Sequence, residues 1–182
     1  MRELSLHILD IVQNSIAAGA SLVELHVVED LAGDWLVIEI ADDGKGIPQQ
    51  QLGQVTDPFF TSRTTRPVGL GLALFSKAAE QAEGELLIDS QVGIGTKVRA
   101  VFRYSHIDRV PLGDIAGTVL AIISLNPQVD VVYRHSFCES AFSIDTRRIK
   151  HELDAVEISH PAVASWLESF LRQGIDDLYR GD

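Results

Sequence analysis

Cysteine is almost absent from this sequence of 182 residues, in which Cys138 is the single example. One cysteine can form neither an internal disulfide nor an iron–sulfur cluster within the chain. Long apolar runs are also missing, because no stretch approaches the roughly 20 apolar residues that a membrane-spanning helix needs. The first residues lack the charged segment and apolar core of a secretion signal. These absences predict a cytoplasmic protein without a disulfide framework.

Basic residues are few, since 15 Lys and Arg stand against 26 Asp and Glu and the formal net charge is −11. A chain this acidic is repelled by nucleic acids and by anionic membrane surfaces, so we expect neither as a partner. The other proportions, 46% hydrophobic and 23% charged residues, are typical of a folded protein. Net charge does not exclude an anionic ligand, because local backbone dipoles can bind one.

Hydrophobic periodicity and turn residues predict alternating helices and strand pairs in the first part of the chain. The predicted elements are a helix over 4–18, strands over 22–28 and 35–40, a helix over 69–83, and strands over 85–90 and 96–104. This order differs from a regular βαβ repeat. It predicts an α/β fold in which helices form a two-layer sandwich on a mixed, mostly antiparallel sheet.

A polar, proline-containing stretch over 105–113 predicts a boundary between two units, 1–104 and 105–182. The second unit is predicted to be a small α+β extension that interacts with a partner. Its predicted elements are helices over 114–125, 146–155 and 161–179, and a hairpin of strands over 129–135 and 141–145.

The first predicted helix carries three polar residues, His7, Asp10 and Asn14, at about one-turn spacing. They are predicted to lie opposite the apolar stripe of Ile8, Val12 and Ile16. One turn between Asp10 and Asn14 places a carboxylate that can activate a nucleophile beside an amide oxygen that can ligate Mg²⁺. For the helix alone, a solvated surface face is the alternative, and His7 fits a lining residue better than a metal ligand.

A glycine-rich stretch, 42–48, follows the second predicted strand. Asp42 at the strand end can accept a hydrogen bond from an exocyclic amine, and Gly44 and Gly46 let the backbone close around a flat base. An acidic Ca²⁺-binding turn is the alternative, but the other spaced oxygen ligands of such a loop are absent.

One further motif precedes the second predicted helix, and another begins it. The segment 57–63 contains Phe59 and Phe60, which either anchor a lid or pack in the core, and the polar, basic segment 63–68 has the composition of a lid over phosphates. The residues 69–72, Gly-Leu-Gly-Leu, open a helix whose free N–H groups can bind phosphate. Neither a P-loop nor a dinucleotide fingerprint is present, and the scattered histidines do not suggest zinc.

In this order, the motifs over 4–104 resemble those of the ATPase superfamily of histidine kinases, gyrase B, Hsp90 and mismatch-repair proteins, which have the Bergerat ATP-binding fold. The resemblance implies ATP and Mg²⁺ as cofactors. Asn14 would bind the magnesium, Asp10 would hold the position of the catalytic general base, and Asp42 would read the adenine amino group with support from Thr96. The other nucleotide-binding residues that it implies are Gly44, Gly46, Ile47, Arg63, Gly69, Leu70, Gly71 and Leu72.

The chain departs from the family at Asp10, where the hydrolases usually carry a glutamate. Aspartate is one methylene shorter, which limits its reach to an attacking water.

The chain begins just before the first motif, so we do not expect the phosphoacceptor hairpin of a sensor kinase. Gyrase and mismatch-repair proteins are far longer, so we do not expect the transducer domain that follows the fold in them either. The segment 105–114 resembles stand-alone ATP-binding proteins of anaerobic bacteria that accompany iron-hydrogenase genes. Two functions stay open: a slow ATPase or a kinase acting in trans on a partner protein, and a nucleotide-dependent regulatory subunit, for example of a redox complex. A homodimer also stays open.

Overall fold

The computed structural model describes residues 3–53 and 70–180. Within them the elements are α1 (Leu4–Ala17), β1 (Leu22–Asp30), β2 (Trp35–Asp42), α2 (Gln49–Leu52), α3 (Leu70–Gln81), β3 (Glu85–Gln91), β4 (Gly95–Arg103), α4 (Ile115–Leu125), β5 (Asp130–Phe137), β6 (Ser140–Asp145), α5 (Thr146–Leu153) and α6 (Pro161–Leu178). Every helix and strand predicted from the sequence is present, with bounds that differ by two residues or fewer. Only α2 was not predicted, because its four residues are too few to show a helical period.

All six strands belong to one sheet with the order β3-β4-β2-β1-β5-β6. β1 pairs with β5 in parallel, and the other four neighbouring pairs are antiparallel. This topology confirms the predicted mixed, mostly antiparallel sheet.

The helices α3, α1, α4 and α6 pack side by side in that order and contact the strands beneath them. They cover one face of the sheet, because alternate residues of β1 and β2 are buried there while the intervening ones are partly exposed. The opposite face is polar where Glu39 of β2 lies 2.8 Å from the Lys97 ammonium of β4. This arrangement confirms the predicted two-layer sandwich.

The elements after residue 104 extend the same sheet and the same core. β5 lies along the whole of β1, and α4 packs against α1. The stretch predicted as a boundary contacts the start of α1, where the Leu4 and Ser5 N–H groups donate to the Pro111 and Leu112 carbonyls at 2.9 and 2.8 Å. Buried side chains of both segments form one hydrophobic cluster. The division at residue 104 into two units stays a prediction. Among the described residues, no helix is both long and apolar enough to cross a membrane.

A buried polar cluster fastens the end of α6 to the sheet. The Glu29 carboxylate at the end of β1 is 2.8 Å from His135 Nε2 and accepts a hydrogen bond from the Tyr179 hydroxyl. His135 is fully buried, and its other ring nitrogen is 2.8 Å from the Tyr133 hydroxyl. Burial acts to raise the pKa of Glu29, but the hydrogen bonds from His135 and Tyr179 outweigh it, so the pKa lies below its usual value.

Glu29→Gln is expected to lower the free energy of unfolding at pH 7 by about 1–3 kcal/mol, because the amide is a weaker partner for His135 and Tyr179. A carboxylate with a lowered pKa stabilises the fold above the pKa of the unfolded chain, about 4.3, and loses this contribution as the pH falls through its folded value. The difference between parent and variant should therefore shrink below about pH 4.3 in urea titrations. The exposed Glu152→Gln is the control and should have little effect. A difference that stays constant with pH would contradict this role of the Glu29 charge.

Candidate functional site

The helix α1 presents two of the predicted site residues to solvent. Ile8 and Val12 are buried against the sheet, while Asp10 and Asn14 are exposed one turn apart on the other side. Gly19, with a φ of 81°, ends the helix and turns the chain into β1. A carboxylate and an amide thus stand side by side at the surface of a well-anchored helix.

His7 does not share this surface, and the prediction that it lies on the open face with Asp10 and Asn14 is wrong. Its side chain is only 2% exposed, and its ring stacks on Phe75 of α3 at 5.3 Å between centroids. Burial lowers the pKa of His7 to about 4, so the ring is neutral at pH 7. The cause is tertiary, because α3 packs against that side of α1.

Asp42 is the last residue of β2, and two hydrogen bonds orient its carboxylate. The Ser15 hydroxyl donates to Oδ2 at 2.6 Å, and the Gly44 N–H donates to Oδ1 at 2.9 Å. Each carboxylate oxygen keeps a further lone pair, so the group can still accept a hydrogen bond from a ligand. Ser15 is 4% exposed and follows Asn14 directly, so the same helical turn carries Asn14 and orients Asp42.

The loop after Asp42 passes close to the turn between β3 and β4. Gly46 has a φ of 70°, and a Cβ there would collide with the Gln91 carbonyl. The Lys45 N–H donates to the Ala18 carbonyl at 3.1 Å, which closes the loop over the end of α1. A side chain in place of the glycine would therefore push the loop away from the sheet.

Thr96 lies beside Asp42, because the two residues are register partners between β4 and β2. A Cβ at Gly95 would collide with the Asp42 carbonyl, so this approach also needs glycine. The buried Ser90 hydroxyl is 2.8 Å from the Gly95 carbonyl, the Ile47 N–H and the Thr96 hydroxyl. If Ser90 donates its only proton to the Gly95 carbonyl, the Thr96 hydroxyl is the donor to Ser90 and keeps its own lone pairs for a ligand.

Asp43 has a structural role, which differs from the position of Asp42 in the candidate site. Its carboxylate accepts hydrogen bonds from the Ser21 N–H at 2.7 Å, from the Ser21 hydroxyl and from the Leu22 N–H at 2.9 Å. Partial burial acts to raise the pKa of Asp43, but these hydrogen bonds outweigh it and lower the pKa. The carboxylate therefore holds the turn between α1 and β1.

The start of α3 lies against Asp10. A Cβ on the buried Gly71 would be 3.0 Å from Asp10 Oδ2, a tight contact that the Asp10 side chain would have to shift to relieve. Leu70, the first residue of α3, is exposed, and Leu72 packs against the core. The first described turn of α3 thus lies near the carboxylate on α1.

The predicted site residues therefore fall into two groups joined by α1. Asp42, Gly44, Gly46, Ile47 and Thr96 lie around the end of β2 and the start of β4. Asp10 of α1 lies beside the start of α3, which carries Leu70, Gly71 and Leu72, and Asn14 lies on α1 next to Ser15. Arg63, Gly69 and the predicted lid 63–68, with Phe59 and Phe60, lie outside the described residues.

Sequence reasoning missed the two serines that support the site. Ser15 could have been suspected, because it neighbours Asn14 on a helix. Ser90 carried no signal, since its contact with Ile47 joins residues 43 positions apart.

The close backbone contacts at Gly46 and Gly95 and the oriented Asp42 carboxylate fit a flat, amine-bearing base at the end of β2. A metal would depend on other ligands, because the described residues contain no group of three His, Cys, Asp or Glu that could hold one. Magnesium commonly takes one or two protein oxygens and completes its shell with phosphate oxygens and water, so a site with a single protein oxygen, such as that of Asn14, is compatible with it.

Comparisons with known proteins show what the chain is similar to. A family model described as histidine kinase-, DNA gyrase B- and HSP90-like ATPase matches residues 2–106. A putative sensor protein of Shewanella frigidimarina is 32% identical over 107 residues, which are 56% of this chain and 16% of that protein. The sensor histidine kinase RcsC of Escherichia coli is 36% identical over 80 residues, 41% of this chain and 8% of the kinase. The chain therefore spans less than a fifth of these relatives.

Solved structures show the same fold over more of the chain. The N-terminal domain of a DNA repair protein superposes with a TM-score of 0.57 at 13% identity, over 80% of this chain and 52% of that one. The MutL ATPase domain of Aquifex aeolicus, complexed with ADP, has a TM-score of 0.50 at 16% identity over 82% and 68%. The similarity thus continues past the residues that the family model matches. With that model covering more than half of the sequence, the chain belongs to the family of histidine kinase-, DNA gyrase B- and HSP90-like ATPases.

Proposed function

We propose that this chain binds Mg-ATP between the end of the sheet, α1 and the start of α3, and acts as a slow ATPase or as a kinase in trans on a partner protein. The observation that carries the proposal is the pair of exposed polar residues on α1, Asp10 and Asn14. Near this helix, Ser15 and Gly44 orient the carboxylate of Asp42 at the end of β2. The ADP bound to the MutL domain supports a nucleotide ligand for this fold.

Asp42 would accept a hydrogen bond from the adenine amino group. Its two intramolecular donors, Ser15 and Gly44, hold the carboxylate in place before a ligand arrives. Thr96 would add a hydroxyl acceptor beside it, and Gly46 and Ile47 would form the wall along the base. Preorganisation of this kind limits the ordering that binding requires.

The phosphates would lie over α1 and the start of α3. Bound Mg-ATP supplies the transferable phosphoryl group and a metal that neutralises its charge. Asn14 would bind the metal through its amide oxygen, and the N–H groups at Leu70 and Gly71 would donate to phosphate oxygens. Arg63 and Gly69 would complete this side of the site.

Asp10 would act as the general base that accepts a proton from the attacking water or hydroxyl. Its carboxylate is directed toward the start of α3, where Gly71 leaves room for it. The shorter side chain relative to glutamate favours slow turnover.

A second candidate is a nucleotide-dependent regulatory subunit with little turnover. The short Asp10 side chain favours it, because a limited reach to the attacking group means little turnover. The sheet that β1 shares with β5 also favours it, because binding at α1 could be transmitted directly to the C-terminal elements. A redox complex as the partner, and the cytoplasm as the compartment, belong to this proposal as expectations.

Single-turnover chemistry with labelled ATP separates these functions. Release of labelled phosphate by the chain alone would identify an ATPase, and transfer of the label to a partner protein would identify a kinase. Bound ATP that stays intact under both conditions would favour the regulatory subunit. Failure to bind ATP at all would refute the proposal.

Mg-ATP is expected to protect the segment 63–68 from trypsin, because a basic lid gains partners when phosphates are present. Cleavage after Arg63 should slow by at least about tenfold with saturating nucleotide, whereas Arg66 precedes Pro67 and is not a trypsin site. Cleavage at the exposed Arg180 should not change and is the internal control. An equal rate at Arg63 with and without nucleotide would count against a lid.

A further inference from the structure

A groove with a volume of about 560 Å³ lies between β6 and α6, away from the nucleotide site. Phe142 and Ser143 of β6 line one side of it, and Phe170, Gly174 and Asp177 of α6 line the other. β6 is separated from β2 by β5 and β1, so this surface shares no residue with the site described above.

Aromatic side chains form the wall of this groove. Trp166 stacks on Phe170 with centroids 5.3 Å apart, and Phe170 is also 5.3 Å from Phe142. Trp166 is 50% exposed and Phe170 39% exposed. A Cβ on Gly174 would collide with the Phe142 ring, so the glycine allows this ring to lie on α6. The groove is therefore a built apolar surface that remains open to solvent.

Among residues 3–53 and 70–180, no strand pairs with the outer edge of β6 along the same groove, because β6 is the last strand of their sheet. The two-residue turn between β5 and β6 makes Phe137 and Ser140 the closing hydrogen-bonded pair. Hydrogen-bonded and non-hydrogen-bonded pairs alternate from there, so Ala141 and Ser143 direct their N–H and C=O groups outward. An extended chain has the groups that match such an edge.

The two edges of the sheet differ in their protection. At the other edge, β3 carries the charged residues Glu85 and Asp89, which disfavour pairing with another strand. The residues 140–144 of β6, Ser-Ala-Phe-Ser-Ile, carry no charge. Of the two edges, β6 is the one suited to accept a strand.

We propose that the groove beside β6 binds an extended, basic segment of a partner protein as an added strand, with apolar side chains against Phe142 and Phe170. The exposed Asp176 and Asp177 at the end of α6 and the net charge of −11 favour basic residues in that segment. A second copy of this chain would bring the same carboxylates and the same net charge, so it is the less favourable occupant.

The probe is the octapeptide (Val-Lys)4, titrated against the full chain with Trp35→Phe, which leaves Trp166 as the only tryptophan. A saturable shift of Trp166 emission is expected. Two methylated peptides are compared, one methylated at the valine nitrogens and one at the lysine backbone nitrogens. The set that donates to β6, the lysine set for an antiparallel added strand and the valine set for a parallel one, should weaken binding by at least about tenfold when methylated. The acidic octapeptide (Val-Glu)4 should bind at least about tenfold more weakly than (Val-Lys)4, because the acidic protein repels it.

Two variants test the surface from the protein side. Ser143→Pro removes an outward N–H from an edge strand, where proline is tolerated, and Phe170→Ala removes part of the wall. Both should weaken peptide binding by at least about tenfold and leave ATP binding unchanged. Leu87→Ala, on the exposed β3 edge, is the matched control and should bind the peptide as the parent does.

Equal affinities for the methylated and unmethylated peptides would overturn strand addition, whether or not Ser143→Pro folds. Equal binding of the acidic peptide would overturn the basic segment. A concentration-dependent dimer in sedimentation that Phe170→Ala disperses would assign the groove to a second copy. Loss of ATP binding in every variant would instead point to unfolding, which circular dichroism identifies. In that case the peptide series on the parent decides whether β6 accepts a strand.

Discussion

Replacement of Asp42 by Asn is expected to abolish measurable binding of Mg-ATP, with a loss of at least about 100-fold, or about 2.8 kcal/mol. The carboxylate would accept the adenine amino hydrogen, and an amide would either donate toward that amine or offer only one oxygen shared with Gly44. Titration calorimetry with Mg-ATP measures the loss. Asn14→Ala should cause a comparable loss by removing the metal ligand.

The neighbouring Asp43→Asn is the matched control for Asp42. Its carboxylate is bound to Ser21 and Leu22 and faces the turn between α1 and β1. This variant should lower stability and leave ATP affinity within a few-fold of the parent. If Asp42→Asn binds ATP as tightly as Asp43→Asn does, the proposed position of the base is wrong.

Asp10→Asn is expected to lower single-turnover phosphate release by at least about 100-fold while ATP affinity persists. The amide preserves the shape of the side chain, including its approach to Gly71, and removes only the ability to accept a proton. The comparison therefore separates chemistry from binding.

Asp10→Glu is the complementary variant, because it restores the longer carboxylate that is usual in the hydrolases. Its rate should equal or exceed that of the parent. A parent that shows no turnover, together with an Asp10→Asn variant that binds ATP identically, would eliminate the base and leave the regulatory subunit as the function.

The positions of the helices and strands could be predicted from the sequence, whereas the roles of the residues in the nucleotide-binding motifs stay a prediction. The period of α1 identified Asp10 and Asn14 as neighbours, because residues one turn apart share a helix side regardless of what surrounds the helix. The turn chemistry around Gly44, Gly46 and Gly95 was equally local. Such features depend on backbone sterics and spacing, which a short segment contains in full.

Other features depended on contacts between distant segments. The period of α1 also assigned His7 to the open side, and only the packing of Phe75 from α3 decided that His7 is buried. Ser90 entered the site because β3 and β4 place it between Ile47 and Thr96.

The sequence by itself determined the α/β fold class and the order of the elements, because both follow from local periodicity and composition, and the resemblance of its motifs predicted a nucleotide site. Only the tertiary structure decided that β5 joins β1, so that the C-terminal elements continue the same sheet and leave β6 as its open edge. A strand's pattern shows which of its faces is buried but does not identify its neighbour, since pairing depends on hydrogen bonds and packing between segments far apart in the chain.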